Sequence, residues 1–193
     1  KRQAIYTMKG NSPRGHDHRT SWGEMFDTAV SSTGTIETHT ALSAQPPYNA
    51  GAGNPEGTAE GVSLTKGMLT FSDSLGNCRF PTGLNQPLLT EATNAVTGWN
   101  LSFEETKNIG LRAVNLMKVF NLRAGIAKDL DLPSARYGST PVDGPTKGIS
   151  IMPHWDSMLR NYYKLMGWDE ETGKPLPGTL KNLGLDQVIK DIW

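Results

Sequence analysis

The chain has 193 residues, in which 19 Lys plus Arg balance 19 Asp plus Glu, and it contains one cysteine. A net charge of zero argues against a nucleic-acid-binding surface, a single cysteine excludes an internal disulfide framework, and no apolar run approaches the roughly 18 residues of a membrane span. No secretory signal is visible, and so few thiols are typical of a reducing compartment, which predicts a cytoplasmic protein.

The first part of the chain is predicted to be a loop followed by a helix. Lys9–Gly15 combine glycine, asparagine, serine and proline, which favour turns. Asp17 and Arg19 are expected to form a local salt bridge that holds this loop. A helix follows over residues 21 to 31, because its apolar residues are spaced for one buried face. These residues are Trp22, Met25, Phe26, Ala29 and Val30.

A second helix is predicted across residues 62–71. Four apolar residues recur there at helical spacing and are expected to form its buried face. They are Leu64, Met68, Phe71 and Leu75. Residues 43–60, between the two helices, are rich in glycine and proline and are expected to form a long loop, which either shapes access to a substrate or is a solvated connection.

The lone cysteine follows this second helix directly. Gly76 is well placed to turn the chain out of the helix, so Cys78 is predicted to lie just beyond the helix end. A buried, inert thiol is the ordinary expectation for a single cysteine. However, Asp73, Asn77 and Arg79 surround it with polar groups, which is unusual for a residue that fills a core.

The second half of the chain is predicted to contain three more helices. Gly98 is expected to end the first of them, and Ser102 with Glu105 forms an S-x-x-E capping box that begins the second. The apolar residues of each helix recur at three- and four-residue steps and are expected to face the core. They are Leu88, Leu89, Ala92 and Val96 in the first helix, Ile109, Ala113, Val114, Met117 and Phe120 in the second, and Trp155, Met158, Leu159, Tyr162 and Tyr163 in the third.

The overall pattern predicts an all-α fold. No alternation with a period of two persists along the sequence, so no sheet is expected. Glycine (21 residues) and proline (12 residues) are numerous for a helical chain, which predicts an irregular domain with long loops. We expect one domain over residues 1–193, and the start at Lys1 suggests the tail of a larger subunit.

Several motifs give the chain a resemblance to a known family. Asp73–Phe80, with the pattern D-S-L-G-x-C-x-F, resembles the pterin- and cluster-binding motif of the tungsten-containing aldehyde ferredoxin oxidoreductases. The resemblance extends from Lys9 to Leu185, through further motifs in the order of that family. They are K-G-x-x-x-x-x-x-D-x-R at Lys9–Arg19, G-W-x-x-S-x-E-E at Gly98–Glu105, F-N-x-R-x-G at Phe120–Gly125, a segment similar to D-x-L-P-x-R at Asp129–Arg136, G-P-x-K-G at Gly144–Gly148, M-L-x-x-Y-Y-x-x-x-G-W-D at Met158–Asp169 and L-x-x-L-G-L at Leu180–Leu185.

The resemblance implies a set of cofactor-binding residues around the cysteine. Asp73 would hydrogen-bond a pterin, and Cys78 would be the fourth thiolate of a [4Fe-4S] cluster whose other three cysteines lie in an upstream part of the polypeptide. Gly76, Asn77 and Arg79 would then contact the cofactors. Arg79 would place positive charge beside the thiolate, which favours the reduced cluster.

The resemblance also implies where the catalytic residues lie. In this family the loop after the first helix carries a histidine beside the substrate and a basic residue at a pterin. When the family pattern is aligned at Gly34, the position of its histidine falls on Glu37 and the position of its basic residue falls on His39. A small shift of this alignment would place His39 at the catalytic position instead. A carboxyl group in an apolar, water-poor site has a raised pKa, so Glu37 can also transfer a proton. Glu37 and His39 are the predicted catalytic residues, and His39 is also a predicted pterin contact.

By resemblance, the complete subunit holds tungsten or molybdenum between two pyranopterins, beside a [4Fe-4S] cluster. It would oxidise an aldehyde to a carboxylate and pass the electrons to ferredoxin or an iron–sulfur subunit. This chain would be its C-terminal domain, without the upstream pterin-binding part, so the remainder of the subunit would be its first partner.

Two alternatives stay open at the level of sequence. The first is the reduction of aromatic acyl-thioesters or other carboxylate-level substrates, and the second is a helical interaction domain without a cofactor. The chain departs from the family pattern at His18, where proline is usual, at Glu37, and at Gly110, where an acid is usual. A helix ion pair between residue 110 and Arg112 is therefore not expected.

Overall fold

The protein is described by a computed structural model that covers residues 5–12, 17–34, 53–78 and 85–193. Within these ranges the chain forms helices and no strand, apart from isolated bridges between Thr7 and Pro133 and between Trp168 and Pro175, which confirms the all-α prediction. The helices are α1 (Trp22–Val30), α2 (Pro55–Ser74), α3 (Gln86–Thr97), α4 (Phe103–Arg123), α5 (Trp155–Leu165) and α6 (Pro177–Asn182). None of the helices in the described ranges is long and apolar enough to cross a membrane.

Local sequence explains where three of these helices begin. The side chain of Asn54 accepts a hydrogen bond from the Gly57 amide (3.1 Å) at the start of α2, and Asn85 does the same for α3. At α4 the predicted capping box is confirmed, because the Glu105 amide donates to Ser102 Oγ (3.2 Å) and the Ser102 amide donates to Glu105 Oε2 (2.8 Å). These contacts satisfy amides that have no partner within the helix.

The core is an aromatic cluster between α1 and α5. Phe26 of α1 meets Trp155 and Tyr162 of α5 edge to face, with ring centroids 5.3 Å and 5.6 Å apart, and Trp168 meets Tyr162 in the same way at 5.7 Å. Edge-to-face pairs are favourable beyond the area they bury. The predicted buried faces of α1 and α5 are therefore confirmed.

Helices α2 and α4 cross at a pair of glycines. A methyl group added to Gly110 would overlap the carbonyl group of Gly67, and one added to Gly67 would lie 2.5 Å from the carbonyl oxygen of Lys107. The two backbones are therefore in direct contact, and this explains why a glycine stands at position 110.

The predicted buried face of α2 is only partly correct. Leu64 is 53% exposed and Leu75 is 39% exposed, whereas Phe71 is buried as expected and Met68 is half-buried. The buried side is rotated towards Val62 and Leu69, and it also carries the small Gly67 at the crossing and Lys66, whose charge is paired. A search for apolar residues does not count a glycine or a lysine, so it places the face wrongly.

The apolar stripes of α3 and α4 are likewise only partly buried. Val114 and Leu89 are buried, but Phe120 is 70% exposed, Leu88 is 56% exposed and Val96 is 88% exposed. In α4 the buried side is formed mainly by small and polar residues, so the true face is rotated away from the predicted stripe. Its buried residues are Thr106, Gly110, Val114, Asn115, Lys118, Val119 and Asn121.

Candidate functional site

The predicted cofactor-binding turn lies at the C-terminal end of α2. The helix ends at Ser74, and the Gly76 amide donates to the carbonyl of Asp73 (3.0 Å). Gly76 has φ of +70°, a left-handed conformation that a residue with a Cβ rarely adopts. As predicted, Gly76 turns the chain out of the helix, and Cys78 follows just beyond it.

The side chains of this turn point towards the surface. Asp73, Gly76, Asn77 and Cys78 are all exposed. An exposed Cys78 excludes the buried, inert thiol that is the ordinary expectation for a lone cysteine. A thiol at the surface can reach a group that lies outside this chain, which is what a ligand shared with another part of a subunit requires.

A complete metal site is not found in the described part of the chain. No group of three or more His, Cys, Asp or Glu residues in the described ranges could hold a metal ion. A metal or cluster at Cys78 would therefore need further ligands from elsewhere. Glu37, His39 and Arg79 lie outside the described residues, so their predicted roles stay predictions.

The segment that leaves α1 is held by side chains from two other parts of the chain. Lys9 Nζ donates to the carbonyls of Ala29 (2.6 Å) and Ser31 (2.8 Å). Asn121 Nδ2 of α4 donates to the carbonyl of Ser32 (2.7 Å). These contacts satisfy carbonyl groups at a helix C-terminus that lack partners within the helix.

Lys9 belongs to a buried ionic network centred on Asp131. The Asp131 carboxylate is 2.5 Å from Lys9 Nζ and 2.9 Å from Lys118 Nζ, and it accepts a hydrogen bond from Tyr163 Oη (2.5 Å). Lys118 Nζ also faces the rings of Tyr163 and Trp168, with 5.6 Å and 5.1 Å to their centroids. The network connects the N-terminal loop, α4 and α5 through one carboxylate.

Burial and charge have opposite effects on the groups of this network. Burial alone raises the pKa of Asp131, but the positive charges of Lys118 and Lys9 outweigh it and leave that pKa below its ordinary value. Burial lowers the pKa of Lys9, although the charge of Asp131 opposes this. Burial, together with the charge of Asp131, raises the pKa of Tyr163 far above its usual range, so the phenol stays protonated and donates.

A second buried ion pair joins α1 to α2. Lys66 Nζ lies 2.6 Å from Asp27 Oδ1, and both residues are fully buried. The Lys66 ammonium is also 5.9 Å from the centroid of the Tyr162 ring. Helix α2, which carries the Cys78 turn at its end, is therefore fixed to α1 by charge as well as by packing.

The loop before α1 is held by the predicted salt bridge and also by His18, whose contacts were not predicted. Arg19 forms the expected salt bridge with Asp17 (2.6 Å), and this hydrogen-bonded pairing lowers the pKa of Asp17. His18 is 2% exposed. Its Nδ1 is hydrogen-bonded to the hydroxyl of Tyr6, and its Nε2 lies 2.5 Å from Glu24 Oε2. The histidine that replaces the usual proline is thus a packed residue of the loop.

Sequence reasoning missed the two buried lysines of the helices, although the sequence contains a signal for them. Lys66 stands four residues after Val62, and Lys118 stands four residues after Val114, so each continues an apolar face at helical spacing. A lysine in such a position is almost never buried without a charged partner. Which carboxylate is the partner depends on the tertiary fold and cannot be read from spacing.

Taken together, the fold and the site define a helical domain that presents a cysteine-containing turn at its surface, fixed to a core of aromatic rings and buried ion pairs. The profile of the family "Aldehyde ferredoxin oxidoreductase, domains 2 & 3" matches residues 1–185. The chain belongs to the aldehyde ferredoxin oxidoreductase family, which confirms the resemblance drawn from the motifs.

Curated relatives agree with this assignment. The chain is 36% identical over 131 residues to the tungsten-containing aldehyde ferredoxin oxidoreductase of Pyrococcus abyssi, a match that covers 66% of this chain and 21% of that protein. It is 39% identical over 111 residues to the protein of the same name from Thermococcus kodakarensis, which covers 56% of this chain and 18% of that protein. It is also 31% identical over 132 residues to the aliphatic sulfonate oxidoreductase, WOR-like subunit, of Pyrococcus furiosus (63% of this chain, 20% of that protein). The chain thus spans about a fifth of the length of these relatives.

Proposed function

We propose that this chain is the C-terminal helical domain of a tungsten- or molybdenum-pterin oxidoreductase that oxidises aldehydes to carboxylates. In that reaction water supplies the added oxygen, and two electrons pass to ferredoxin or to an iron–sulfur subunit. Family membership supports the class of enzyme. The single observation that carries the proposal is the exposed thiol of Cys78, held on the left-handed turn at the end of α2.

The residues of the turn fit the proposed cluster. A [4Fe-4S] cluster takes four thiolates, and this chain offers one, at its surface, where three others from upstream can join it. When bound, the cluster would supply one-electron transfer and the metal–pterin group two-electron chemistry. Cys78 would hold the cluster and Asp73 the pterin, both from the end of α2.

The other residues of the turn have distinct proposed roles. The carboxylate of Asp73 accepts hydrogen bonds from the pterin. The backbone at Gly76 and Asn77 lets the cofactors approach closely, since Gly76 has no side chain. The guanidinium of Arg79 stabilises added negative charge beside the thiolate, because hydrogen bonds and charge near the sulfur atoms set the potential of such a cluster.

Glu37 and His39 are the proposed proton-transfer residues. Oxidation of a hydrated carbonyl releases protons, and a group near the metal must accept them. Either a carboxylate or a neutral imidazole can do so. We also propose a cytoplasmic location for the enzyme, with ferredoxin or an iron–sulfur subunit as its electron acceptor.

A different substrate is the second candidate function. The relative from Pyrococcus furiosus carries the name of a sulfonate oxidoreductase subunit, so similarity of this degree does not fix the substrate. The chain departs from the family pattern at Glu37, which is one of the two proposed proton-transfer residues. Reduction of an aromatic acyl-thioester or another carboxylate-level substrate therefore stays an alternative. A cofactor-free interaction domain is disfavoured, because it gives no reason for a thiol exposed on a fixed turn.

Metal analysis of the full subunit tests the proposal. We expect iron together with tungsten or molybdenum in the wild-type protein, and we expect Cys78→Ser to lose most of its iron, because serine replaces a ligand of the cluster. Glu60→Gln, an exposed residue on the same helix, is the matched control and should retain its iron.

One result would contradict the expected metal content, and another would contradict the choice of substrate. A full subunit that contains none of these metals would favour the cofactor-free domain. The second candidate would be favoured by a metal-loaded subunit that oxidises none of the aldehydes tested with viologen dyes as acceptors. The same subunit would have to reduce thioesters with a reduced viologen as the electron donor.

A further inference from the structure

Side chains bind several carbonyl groups around the end of α1. Lys9 Nζ bonds the carbonyls of Ala29 and Ser31, and Asn121 Nδ2 bonds that of Ser32. Two residues later, Asn11 Nδ2 donates to the carbonyl of Gly34 (2.5 Å). Three side chains therefore bind the backbone at four positions, from the last turn of α1 to Gly34.

The conformation of Gly34 adds a further restriction. Its φ is +69°, and a Cβ at this position would lie 3.4 Å from the Cβ of Asn11. Ser31 Oγ and Thr33 Oγ1 also lie within hydrogen-bond distance of each other (3.4 Å). The direction in which the chain leaves Gly34 is therefore set by defined contacts of the described residues.

The anchor at Lys9 is itself held in place. Its ammonium group is bound to Asp131, which also binds Lys118 and Tyr163, so Lys9 cannot swing away without leaving a buried carboxylate partly unpaired. Buried ion pairs add little net stability, because removing the charges from water costs about as much as their attraction returns. A network of this kind is better suited to specifying one geometry than to stabilising the fold.

We propose that Asn121, with Lys9 and Asn11, is a positioning residue for the catalytic loop. The chain continues from Gly34 to Glu37 and His39 within five residues. By binding the carbonyls of Ala29, Ser31, Ser32 and Gly34, the three side chains fix the backbone from which that loop starts. This inference rests on the proposed function for the identity of Glu37 and His39, but the anchoring itself does not.

The expected effect is on turnover more than on substrate binding. Displacing a catalytic group by about 1 Å can lower a rate about 100-fold. We expect Asn121→Ala to lower kcat per bound metal about tenfold or more, while KM changes less than about threefold. The same variant should increase hydrogen–deuterium exchange in residues 31–34.

Asn115→Ala is the matched control on the same helix. Asn115 is also a buried asparagine of α4, but its side chain accepts from Trp168 Nε1 (2.8 Å) and donates to the carbonyl of Leu111 (2.9 Å). It does not touch the segment after α1 in any described contact. We expect its thermal stability to fall as much as that of Asn121→Ala, with kcat per metal and the exchange of residues 31–34 unchanged.

The experiment uses the full subunit and measures metal content, kcat, KM and exchange for both variants. If Asn121→Ala and Asn115→Ala lose kcat in parallel, or if neither does, the positioning role is wrong. Asn11→Ala gives the same test if Asn121→Ala does not fold, since it removes the contact to Gly34 together with one hydrogen bond from Thr7 Oγ1. A wild-type subunit without metal would refute the proposed function, whereas unchanged exchange of residues 31–34 in the anchor variants would refute the anchoring.

Discussion

The core around Asp131 and the turn around Cys78 each contain an aspartate, but one aspartate is buried and the other is exposed. At Asp131, two lysines and a tyrosine converge on one buried carboxylate, so every charge has its partner inside the chain. At the end of α2, Asp73 and Cys78 are exposed. The comparison teaches that a polar group buried among other side chains defines the fold, whereas a polar group exposed on a fixed turn can be reached from outside the chain.

The largest expected effect on stability comes from a substitution in the buried network around Asp131. Asp131→Asn leaves the charges of Lys9 and Lys118 buried without their carboxylate, and breaking such a network costs about 3–5 kcal/mol of unfolding free energy. Urea unfolding followed by tryptophan fluorescence measures it, since Trp155 and Trp168 lie in the same core. Asp129→Asn, an exposed neighbour, should change stability by less than about 0.5 kcal/mol. Equal effects of the two variants would show that the network does not define the fold.

The crossing of α2 and α4 is expected to give the second largest effect. Gly110→Ala introduces a methyl group that overlaps the Gly67 carbonyl, so the helices must separate, at a cost of about 1–3 kcal/mol. The control is Gly61→Ala in α2, where an added methyl group meets no atom within 4 Å. It should be neutral or stabilise by up to about 1 kcal/mol, because alanine favours a helix. A stabilising Gly110→Ala would contradict the close contact of the two helices.

The smallest effect on stability is expected at the exposed side. Cys78→Ser should change the unfolding free energy of the chain without cofactor by less than about 0.5 kcal/mol, because an exposed side chain makes few packing contacts. The same substitution is expected to remove most of the iron from the full subunit. A large loss of stability without any loss of iron would reverse the assignment of Cys78 from ligand to structural residue.

The sequence predicts the helical class, the capping box of α4 and the faces of α1 and α5, because each of these follows from local spacing. In α1 and α5 most of the buried residues are apolar and recur at helical spacing, so periodicity identifies those faces. In α2 and α4 it does not, because Gly67, Gly110, Lys66 and Lys118 occupy buried positions for tertiary reasons.

In the candidate site, too, some features follow from local sequence and others depend on the tertiary fold. The turn at Gly76 and the position of Cys78 beyond the helix follow from a local rule, that glycine ends helices. The exposure of the thiol and the anchoring of residues 29–34 by Lys9 and Asn121 depend on which segments meet in space. The spacing of residues along the chain cannot predict the contact between Asn121 and Ser32, which are 89 positions apart in the sequence.

The glycine crossing has a consequence for the position of the cysteine turn. No side chain fits between Gly110 and Gly67, so any larger residue at position 110 would push α2 and α4 apart. Since the turn that carries Cys78 is the continuation of α2, it would move with that helix. A glycine on a different helix therefore helps to set where the lone thiol stands on the surface of the domain.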